Sequence, residues 1–223
     1  KYDMARDFQE NGLAIVQVNN LTGIINHDGY FIVKPKYDTI SPFSEGRATV
    51  IDGEGFKVLD ESGKEITTKA YFFIGDYQEG RAVVAHNNEH DENLFGYLNR
   101  RGKEVIPLSY EAASDFQDGK ALVKVKEGGY SLIDLTGKVL KSYPYPFVNN
   151  YGEGMLAFQE REEGKWGYMD ETGKVVIEPQ FIGAQPFIDG KAIVTVENNN
   201  HDYYGLIDRQ GKLIIKPHYN SLL

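Results

Sequence analysis

One acidic residue stands beside a glycine in each of six similar turns along the chain. The six residues are Glu10, Glu45, Glu79, Asp118, Glu153 and Asp189. Two carboxylates can hydrolyse a glycosidic bond when they lie at a defined separation and one of them has a raised pKa. Carboxylates that recur once per repeat are instead spread through the structure, and no pair among these six stands out. The pattern therefore favours exposed turns, in which each carboxylate accepts hydrogen bonds from nearby backbone N–H groups.

Histidine and aspartate occur together in two long polar segments, residues 86–93 and 197–202. The candidate ligands are His86, His90, Asp91, His201 and Asp202. Imidazole and carboxylate groups bind transition metals, but both segments are rich in Asn and they share no ligand spacing. We therefore predict solvated loops without a metal. Loop insertions in repeat proteins gather on one face, so these loops are also the first candidates for a surface that contacts a partner.

A lysine follows the glycine of a second kind of turn in five places. These lysines are Lys64, Lys103, Lys138, Lys174 and Lys212. They could bind an anion, but lysine at such positions more often keeps an edge or a turn soluble. We expect the second role.

Three tyrosines are candidates for an exposed aromatic surface. Tyr143 and Tyr145 alternate with prolines, and Tyr203 lies beside the second long loop. The chain contains no phosphate-binding Gly-x-x-x-x-Gly-Lys-Ser/Thr loop, no serine nucleophile elbow and no His-Glu-x-x-His motif. We therefore predict no catalytic residue and no cofactor, and the tyrosines join the loops as a candidate partner surface.

All of these residues belong to a unit of about 36 residues that is repeated six times. Each unit opens with an aromatic, an apolar and a second aromatic residue, three positions apart, as in Tyr37, Ile40 and Phe43. In the fifth unit the corresponding residues are Tyr145, Val148 and Tyr151. The predicted units cover approximately residues 2–36, 37–70, 71–109, 110–144, 145–180 and 181–218, with a partial unit at 219–223.

Each opening segment leads into a three- or four-stranded antiparallel meander. The turn glycine after it is Gly46, Gly80, Gly119, Gly154 or Gly190, and an alternating strand follows. A second strand ends in Asp or Asn, which begins an Asx-x-x-Gly turn that closes at Gly63, Gly102, Gly137, Gly173 or Gly211. The Asx side chain can hydrogen-bond the backbone ahead, and glycine can take the left-handed conformation. A third strand usually ends near proline, which cannot donate to a strand ladder.

In the fifth unit this pattern becomes Lys-Trp-Gly-Tyr-Met-Asp-x-x-Gly-Lys-x-x-Ile-x-Pro, which includes Trp166 and Gly167. The sequence resembles the bacterial WG-repeat family, also called KWG, along essentially the whole chain. Trp166 is the only tryptophan, and Lys57 and Ser131 replace the glycine in the second and fourth units. The resemblance implies a β-repeat scaffold that is used for binding and is not catalytic. It implies no particular ligand.

The repeats predict an all-β, β-propeller-like array that covers residues 1–223 without separate domains. An open, curved β-solenoid is the alternative. It is favoured by the last residues, which restart a unit whose opening element the first residues already supply.

Composition narrows the function further. The net charge of −9 argues against nucleic acid and against anionic membranes, and no apolar run is long enough to insert into a bilayer. Cysteine is absent, which excludes disulfides and cysteine nucleophiles. Because the chain begins at Lys1, we expect a removed leader or a piece of a longer protein, and an extracytoplasmic location is slightly favoured. The oligomeric state is left open.

We therefore expect a non-catalytic β-repeat scaffold that binds a protein, a peptide or a glycan. A polysaccharide hydrolase or lyase of the propeller type and a structural cell-surface spacer are the two alternatives.

Overall fold

A computed structural model describes residues 2–87, 92–126, 128–198 and 201–219. Within these ranges every element is a β-strand, all strand pairs are antiparallel, and there is no helix. The predicted all-β, β-propeller-like repeat fold is therefore confirmed. The described part of the chain also has no helix that is long and apolar enough to cross a membrane.

The chain forms two compact lobes, residues 1–116 and 117–223, which are described separately. The first lobe contains the strands β1 (Met4–Ala5), β2 (Leu13–Val18), β3 (Leu21–Asn26), β4 (Phe31–Tyr37), β5 (Thr39–Ile40), β6 (Arg47–Asp52), β7 (Gly55–Asp60), β8 (Phe73–Ile74), β9 (Arg81–Asn87), β10 (Asn93–Asn99) and β11 (Glu104–Ala113). The second lobe contains β12 (Lys120–Val125), β13 (Tyr130–Asp134), β14 (Val139–Tyr143), β15 (Phe147–Gly152), β16 (Met155–Gln159), β17 (Trp166–Asp170), β18 (Val175–Phe181), β19 (Gly183–Ala184), β20 (Lys191–Asn198), β21 (His201–Asp208) and β22 (Leu213–Tyr219).

Neighbours in sequence are neighbours in each sheet, so each repeat is a meander. In the first lobe the orders are β1-β2-β3-β4, β5-β6-β7 and β8-β9-β10-β11, and in the second they are β12-β13-β14, β15-β16-β17-β18 and β19-β20-β21-β22. The aromatic residue that opens one unit ends the last strand of the sheet before it, as Tyr37 does in β4 and Phe181 does in β18.

The Asx-x-x-Gly turns form as predicted in all six units. In the fifth unit, Asp170 Oδ1 accepts hydrogen bonds from the N–H groups of Thr172 and Lys174, and the Gly173 N–H donates to the Asp170 carbonyl at 2.9 Å. The same pair of backbone hydrogen bonds is accepted by Oδ1 of Asn26, Asp60, Asn99, Asp134 and Asp208. Each closing glycine has a positive φ, between 71° and 87°, so the side chain of Asx and the freedom of glycine together define the turn.

The glycine of the WG motif fits a bulge in the next strand. Trp166 pairs with Phe181 and Tyr168 pairs with Ile177, so two steps along β17 face four steps along β18. A Cβ atom on residue 167 would lie 2.5 Å from the Ile177 carbonyl oxygen and 2.7 Å from the Pro179 nitrogen. Glycine is therefore required opposite the bulge, and proline suits the bulge because no donor is needed there.

The fourth unit lacks this bulge, and the position of the WG glycine is occupied by Ser131. Tyr130 pairs with Tyr143 and Ser131 pairs with Ser142 in an unbroken ladder, and the two serine hydroxyls lie 2.8 Å apart. The third strand of this unit is two residues shorter as a result. Tyr143, and not the predicted Tyr145, therefore takes the place that Phe181 has in the next unit.

In units 2, 3, 5 and 6 the opening triad, which is the first aromatic, the apolar and the second aromatic residue, packs on the sheet of the unit before it. In the second lobe the triad Phe181, Ala184 and Phe187 forms one core cluster with Met155 and Tyr168 of the preceding sheet. Three further clusters repeat the arrangement between units 1 and 2, units 2 and 3, and units 4 and 5. Within each lobe the hydrophobic core therefore lies between consecutive sheets, and the opening triad of one unit covers the sheet of the unit before it.

The bulge predicts that Gly167→Ala destabilises the folded protein. The added methyl group must displace backbone atoms, so we expect a loss of roughly 1–3 kcal/mol in the free energy of unfolding, measured by urea denaturation. The control is Gly53→Ala, because a Cβ there meets no atom within 4 Å, and we expect it to change stability by less than about 0.5 kcal/mol. Equal stability of the two variants would contradict the proposed fit.

Candidate functional site

The turn carboxylates bridge consecutive units. Glu45 Oε2 accepts a hydrogen bond of 2.8 Å from the Gly80 N–H, which belongs to the corresponding turn of the next unit, and it also pairs with Arg100 at 3.0 Å. In the second lobe Glu153 Oε2 accepts from the Gly190 N–H at 2.9 Å and lies 3.4 Å from Arg209. The expectation that these carboxylates bond their own turn is therefore wrong for both, because the turns of consecutive units lie side by side.

These acidic residues also have an unusual backbone conformation. Glu45 and Gly46 have φ values of 50° and 74°, and the flanking Ser44 and Arg47 exchange two backbone hydrogen bonds. Two successive positive φ angles define a type I′ hairpin turn, in which Asp-Gly is favoured and which Glu-Gly adopts here. The same pair of positive φ angles occurs at Glu79, Asp118, Glu153 and Asp189 and the glycines that follow them. Glu45 and Glu153 are thus held by the turn as well as by the next unit.

The residue that directly follows Asx in one unit pairs with an oppositely charged residue of the unit before it. The sign of its charge differs between units. Lys120 Nζ contacts Glu171 at 2.8 Å, whereas Glu45 and Glu153 meet Arg100 and Arg209. Tyr151 also donates to Glu171, at 2.6 Å. Each contact combines opposite charges, so these side chains help to set which units are neighbours.

The recurrent lysines contribute through their backbone. The N–H groups of Lys64, Lys103, Lys138, Lys174 and Lys212 each donate to the Asx oxygen of their own turn. Anion binding by their side chains stays a hypothesis.

The predicted loop residues are only partly described. His90 and Asp91 lie outside the described residues. His86, near the end of β9, is half-buried, and its ring lies 6.1 Å from that of Tyr71 in an edge-to-face arrangement. His201 and Asp202 are exposed at the start of β21 in the second lobe. Among the described residues no three His, Asp or Glu side chains are arranged to hold a metal ion.

The tyrosines differ in their exposure. Tyr143 is only 2% exposed and its hydroxyl donates to the Glu171 carbonyl, so the expectation of an exposed ring is wrong for this residue. Its ring is buried because it opens the triad of the fifth unit. Tyr145 is half-buried against Phe158, with ring centroids 4.4 Å apart, and Tyr203 is half-buried on β21 opposite Val196.

Two pairs of neighbouring aromatic residues are exposed, Tyr30 with Phe31 at the start of β4 and Phe72 with Phe73 at β8, and the sequence analysis selected neither. Phe72 is 61% exposed and Phe73 is 40% exposed. Phe73 lies 6.0 Å from the ring of Phe56, which belongs to the preceding unit. We call Phe56, Phe72 and Phe73 the aromatic patch. It is held by the edge strand β8, in which Phe73 pairs with Ala85 of β9, the strand that also carries His86.

A comparison of units could have revealed this patch. Phe72 and Phe73 correspond to Asp38 and Thr39 in the second unit and to Ile182 and Gly183 in the sixth. Phe72 therefore replaces a polar or an aliphatic residue of these units, whereas Phe73 has an aromatic counterpart, Phe147, in the fifth unit.

Asp115 is the carboxyl group in the described chain that has a raised pKa. Loss of hydration is the main cause of this rise in the pKa, and the like charge of Asp76 adds to it. The pair lies at the ends of two consecutive opening segments, directly before Tyr77 and Phe116. Under the hydrolase alternative, Asp76 and Asp115 are therefore the candidate catalytic pair, because the carboxylates of Glu45 and Glu153 bind neighbouring turns.

With this geometry established, the comparisons with known proteins identify the family. The WG containing repeat matches residues 1–21, 23–54, 95–130, 166–199 and 204–222, which make up more than half of the chain. The protein therefore belongs to the WG-containing repeat family. The search of curated proteins gave no match.

Solved structures resemble the chain in fold only. The crystal structure of the computationally designed Ika8 protein has a TM-score of 0.54 at 12% identity, over 95% of this chain and 72% of that chain. A eukaryotic initiation factor has a TM-score of 0.56 at 9% identity, over 93% of this chain and 64% of its own. BamB from Moraxella catarrhalis has a TM-score of 0.49 at 10% identity, over 92% of this chain and 73% of that chain. At these identities the likeness supports a β-repeat fold and no activity.

The raised pKa of Asp115 predicts a stability change that depends on pH. Ionising this carboxyl costs more in the folded protein than in the unfolded chain, so the cost appears as the pH rises above its ordinary pKa of 3.8 and is complete above the raised pKa. Asp115→Asn should therefore raise the melting temperature slightly at pH 7, and the gain should vanish at low pH. Calorimetry over this pH range tests it, with Asp28→Asn in an exposed turn as the control. A gain that is independent of pH would contradict the argument.

Proposed function

We propose that this protein is a non-catalytic β-repeat scaffold that binds a peptide segment of a partner protein at the aromatic patch. The observation that carries the proposal is the exposure of two consecutive phenylalanines, Phe72 and Phe73, at the edge strand β8. Phenylalanine is usually buried, and single exposed apolar residues are common, whereas clusters of them mark interaction surfaces.

The chemistry of the patch suits a peptide. Aromatic residues are enriched at protein interfaces because they bring a large apolar area at a small cost in conformational entropy. Phe73 is supported from beneath by Phe56, so part of the patch is ordered before a partner arrives. His86 lies on β9, the strand next to β8, so one residue of the predicted partner surface belongs to the strand beside the patch.

The non-catalytic part of the proposal is supported by the use of the turn carboxylates. Glu45 and Glu153 accept backbone hydrogen bonds from the next turn and pair with arginine. A glycoside hydrolase needs carboxylates that reach the substrate, and these two are committed to holding consecutive units together. The spacer hypothesis gives no reason for Phe72 and Phe73 to be exposed.

The test is a selection from a phage-displayed peptide library on the wild-type protein, followed by calorimetric affinities. For the selected peptides, Phe72→Ser with Phe73→Ser should weaken binding more than about tenfold, because central aromatic residues contribute about 2 kcal/mol or more. The matched control is Val176→Ser with Leu213→Ser, which removes two exposed apolar residues of the second lobe and should leave the affinity unchanged.

Peptides that bind the Phe72/Phe73 variant as well as the wild type would overturn the proposal. A glycan array run with the same variants separates the other ligand class. Glycan binding that is lost in the Phe72/Phe73 variant would show that the ligand of the aromatic patch is a carbohydrate and not a peptide. Turnover of a polysaccharide that is lost in Asp115→Asn would instead favour an enzyme.

A further inference from the structure

The position of the WG tryptophan carries an aromatic residue in five units and a threonine in the first. In units 2 to 6 this residue pairs across the sheet with a second aromatic residue, and the five residues are Phe56, Phe95, Tyr130, Trp166 and Tyr204. In the first unit the same kind of pair joins Tyr37 to Thr22. A small hydroxyl side chain therefore stands where the other units have a ring.

In the other units this ring packs between its own sheet and the opening segment of the next unit. Phe56, Tyr130 and Trp166 are half-buried, and each packs against the core cluster that joins its unit to the next one. The ring of Phe56 also lies 6.0 Å from that of Phe73, in the next opening segment. The WG aromatic thus fills a defined space between consecutive units.

A cavity of about 130 Å³ lies at the corresponding place between units 1 and 2. Thr22 and Thr39 take the positions of Phe56 and Phe73, and both line the cavity together with Ile40 of the second opening triad. An apolar cavity of about 150 Å³ binds one benzene ring, whereas drug-sized ligands need about 300 Å³ or more. The space therefore suits a single aromatic ring.

Two side chains of opposite charge line the same cavity. Arg6 follows β1, Asp38 precedes β5, and both are exposed, so they stand at its mouth. Within the described ranges neither side chain forms an ion pair with another residue. The Thr22 hydroxyl donates to the Asp38 carbonyl at 3.2 Å, which ties the second opening segment to the wall of the cavity.

The cation at the mouth distinguishes the first unit from the others. At the position of Arg6 the other units have Ser41, Gly75, Ser114, Asn149 and Gln185. A guanidinium group binds a carboxylate through paired N–H donors, and a carboxylate such as that of Asp38 binds an ammonium group. The mouth therefore suits a ligand that carries both charges.

We propose that this cavity binds a small aromatic amino acid. Its ring takes the space that the WG aromatic has in the other units, its carboxylate faces Arg6, and its ammonium group faces Asp38. The proposal does not depend on peptide binding at the aromatic patch, because the cavity is lined by other residues. Either proposal can fail without the other.

The test is an NMR titration of the isotope-labelled chain with L-phenylalanine. The amide signals of Thr22, Thr39 and Ile40 should shift and saturate with a dissociation constant on the order of 0.1–1 mM, as expected for a ligand of this size. L-alanine has no ring and should bind more than about tenfold more weakly. Hydrocinnamate and phenethylamine each lack one charge and should bind about fivefold more weakly, the ratio for one ion pair at the protein surface.

Variants of the cavity test the same geometry. Thr22→Phe introduces the residue that the second unit has at this position, and its ring should fill the cavity and abolish the shifts while the fold is kept. Arg6→Gln and Asp38→Asn should each weaken binding by about fivefold. The matched control is Lys34→Gln, which removes an exposed charge of β4 outside the cavity and should bind like the wild type.

Several results would overturn the proposal. They are the absence of shifts at millimolar L-phenylalanine, shifts that persist in folded Thr22→Phe, and equal binding of N-acetyl-L-phenylalanine amide, which has the ring but neither charge. Thr39→Phe is a second filling variant for the case that Thr22→Phe unfolds, since it introduces the ring that Phe73 supplies in the third unit. Far-UV circular dichroism checks the fold of each variant.

Discussion

The structure depends on the burial of each opening triad against the sheet of the preceding unit. A single meander has two faces and cannot cover either of them with its own residues. Burying one large apolar side chain stabilises a fold by about 1.5–3 kcal/mol, so three side chains per contact outweigh the small terms from surface ion pairs, which contribute about 1 kcal/mol or less. Phe181, Ala184 and Phe187 show the arrangement in full, since all three are buried in one cluster with residues of the unit before them. Charge pairs such as Glu45 with Arg100 therefore add little to a contact that the triads stabilise.

The WG motif is explained by a second constraint, the close approach of two strands at a bulge. Gly167 and Pro179 are twelve residues apart in sequence but face each other across β17 and β18. The bulge pushes a carbonyl oxygen into the space of a side chain, and proline fits where a backbone donor is not needed. A Cβ atom added at Gly23 or Gly96 would likewise lie 2.6 Å from the carbonyl oxygen of Val33 or Ile106. Gly167 and Pro179 thus depend on the same bulge. Ser131 is tolerated in the fourth unit because its neighbouring strand has no bulge at that point.

Local features could be predicted from the sequence, and features set by distant residues could not. The Asx-x-x-Gly turns were predictable because the side chain, the carbonyl and the glycine lie within four residues of each other. The assignment of Tyr145 to the triad was wrong because a missing bulge shifts the register by two residues, and the register depends on strand pairing. The contact of Glu45 with the Gly80 N–H spans 35 residues, so no pattern within one unit could indicate it. Phe72 and Phe73 were missed because exposed and buried aromatic residues look alike in a sequence rich in both.

These observations suggest where function can arise in such a repeat protein. Positions that every unit shares are occupied by the core, by the turns and by contacts between turns, and a residue committed to them is not free to act on a ligand. Glu45 and Glu153 illustrate this, because conserving the geometry of the repeat already uses their carboxylates. A ligand must instead be recognised by residues that distinguish one unit from the others. Phe72 meets that condition, since Asp38 and Ile182 stand at the same position in other units and the repeat leaves this position exposed, while Phe73 beside it is held against Phe56.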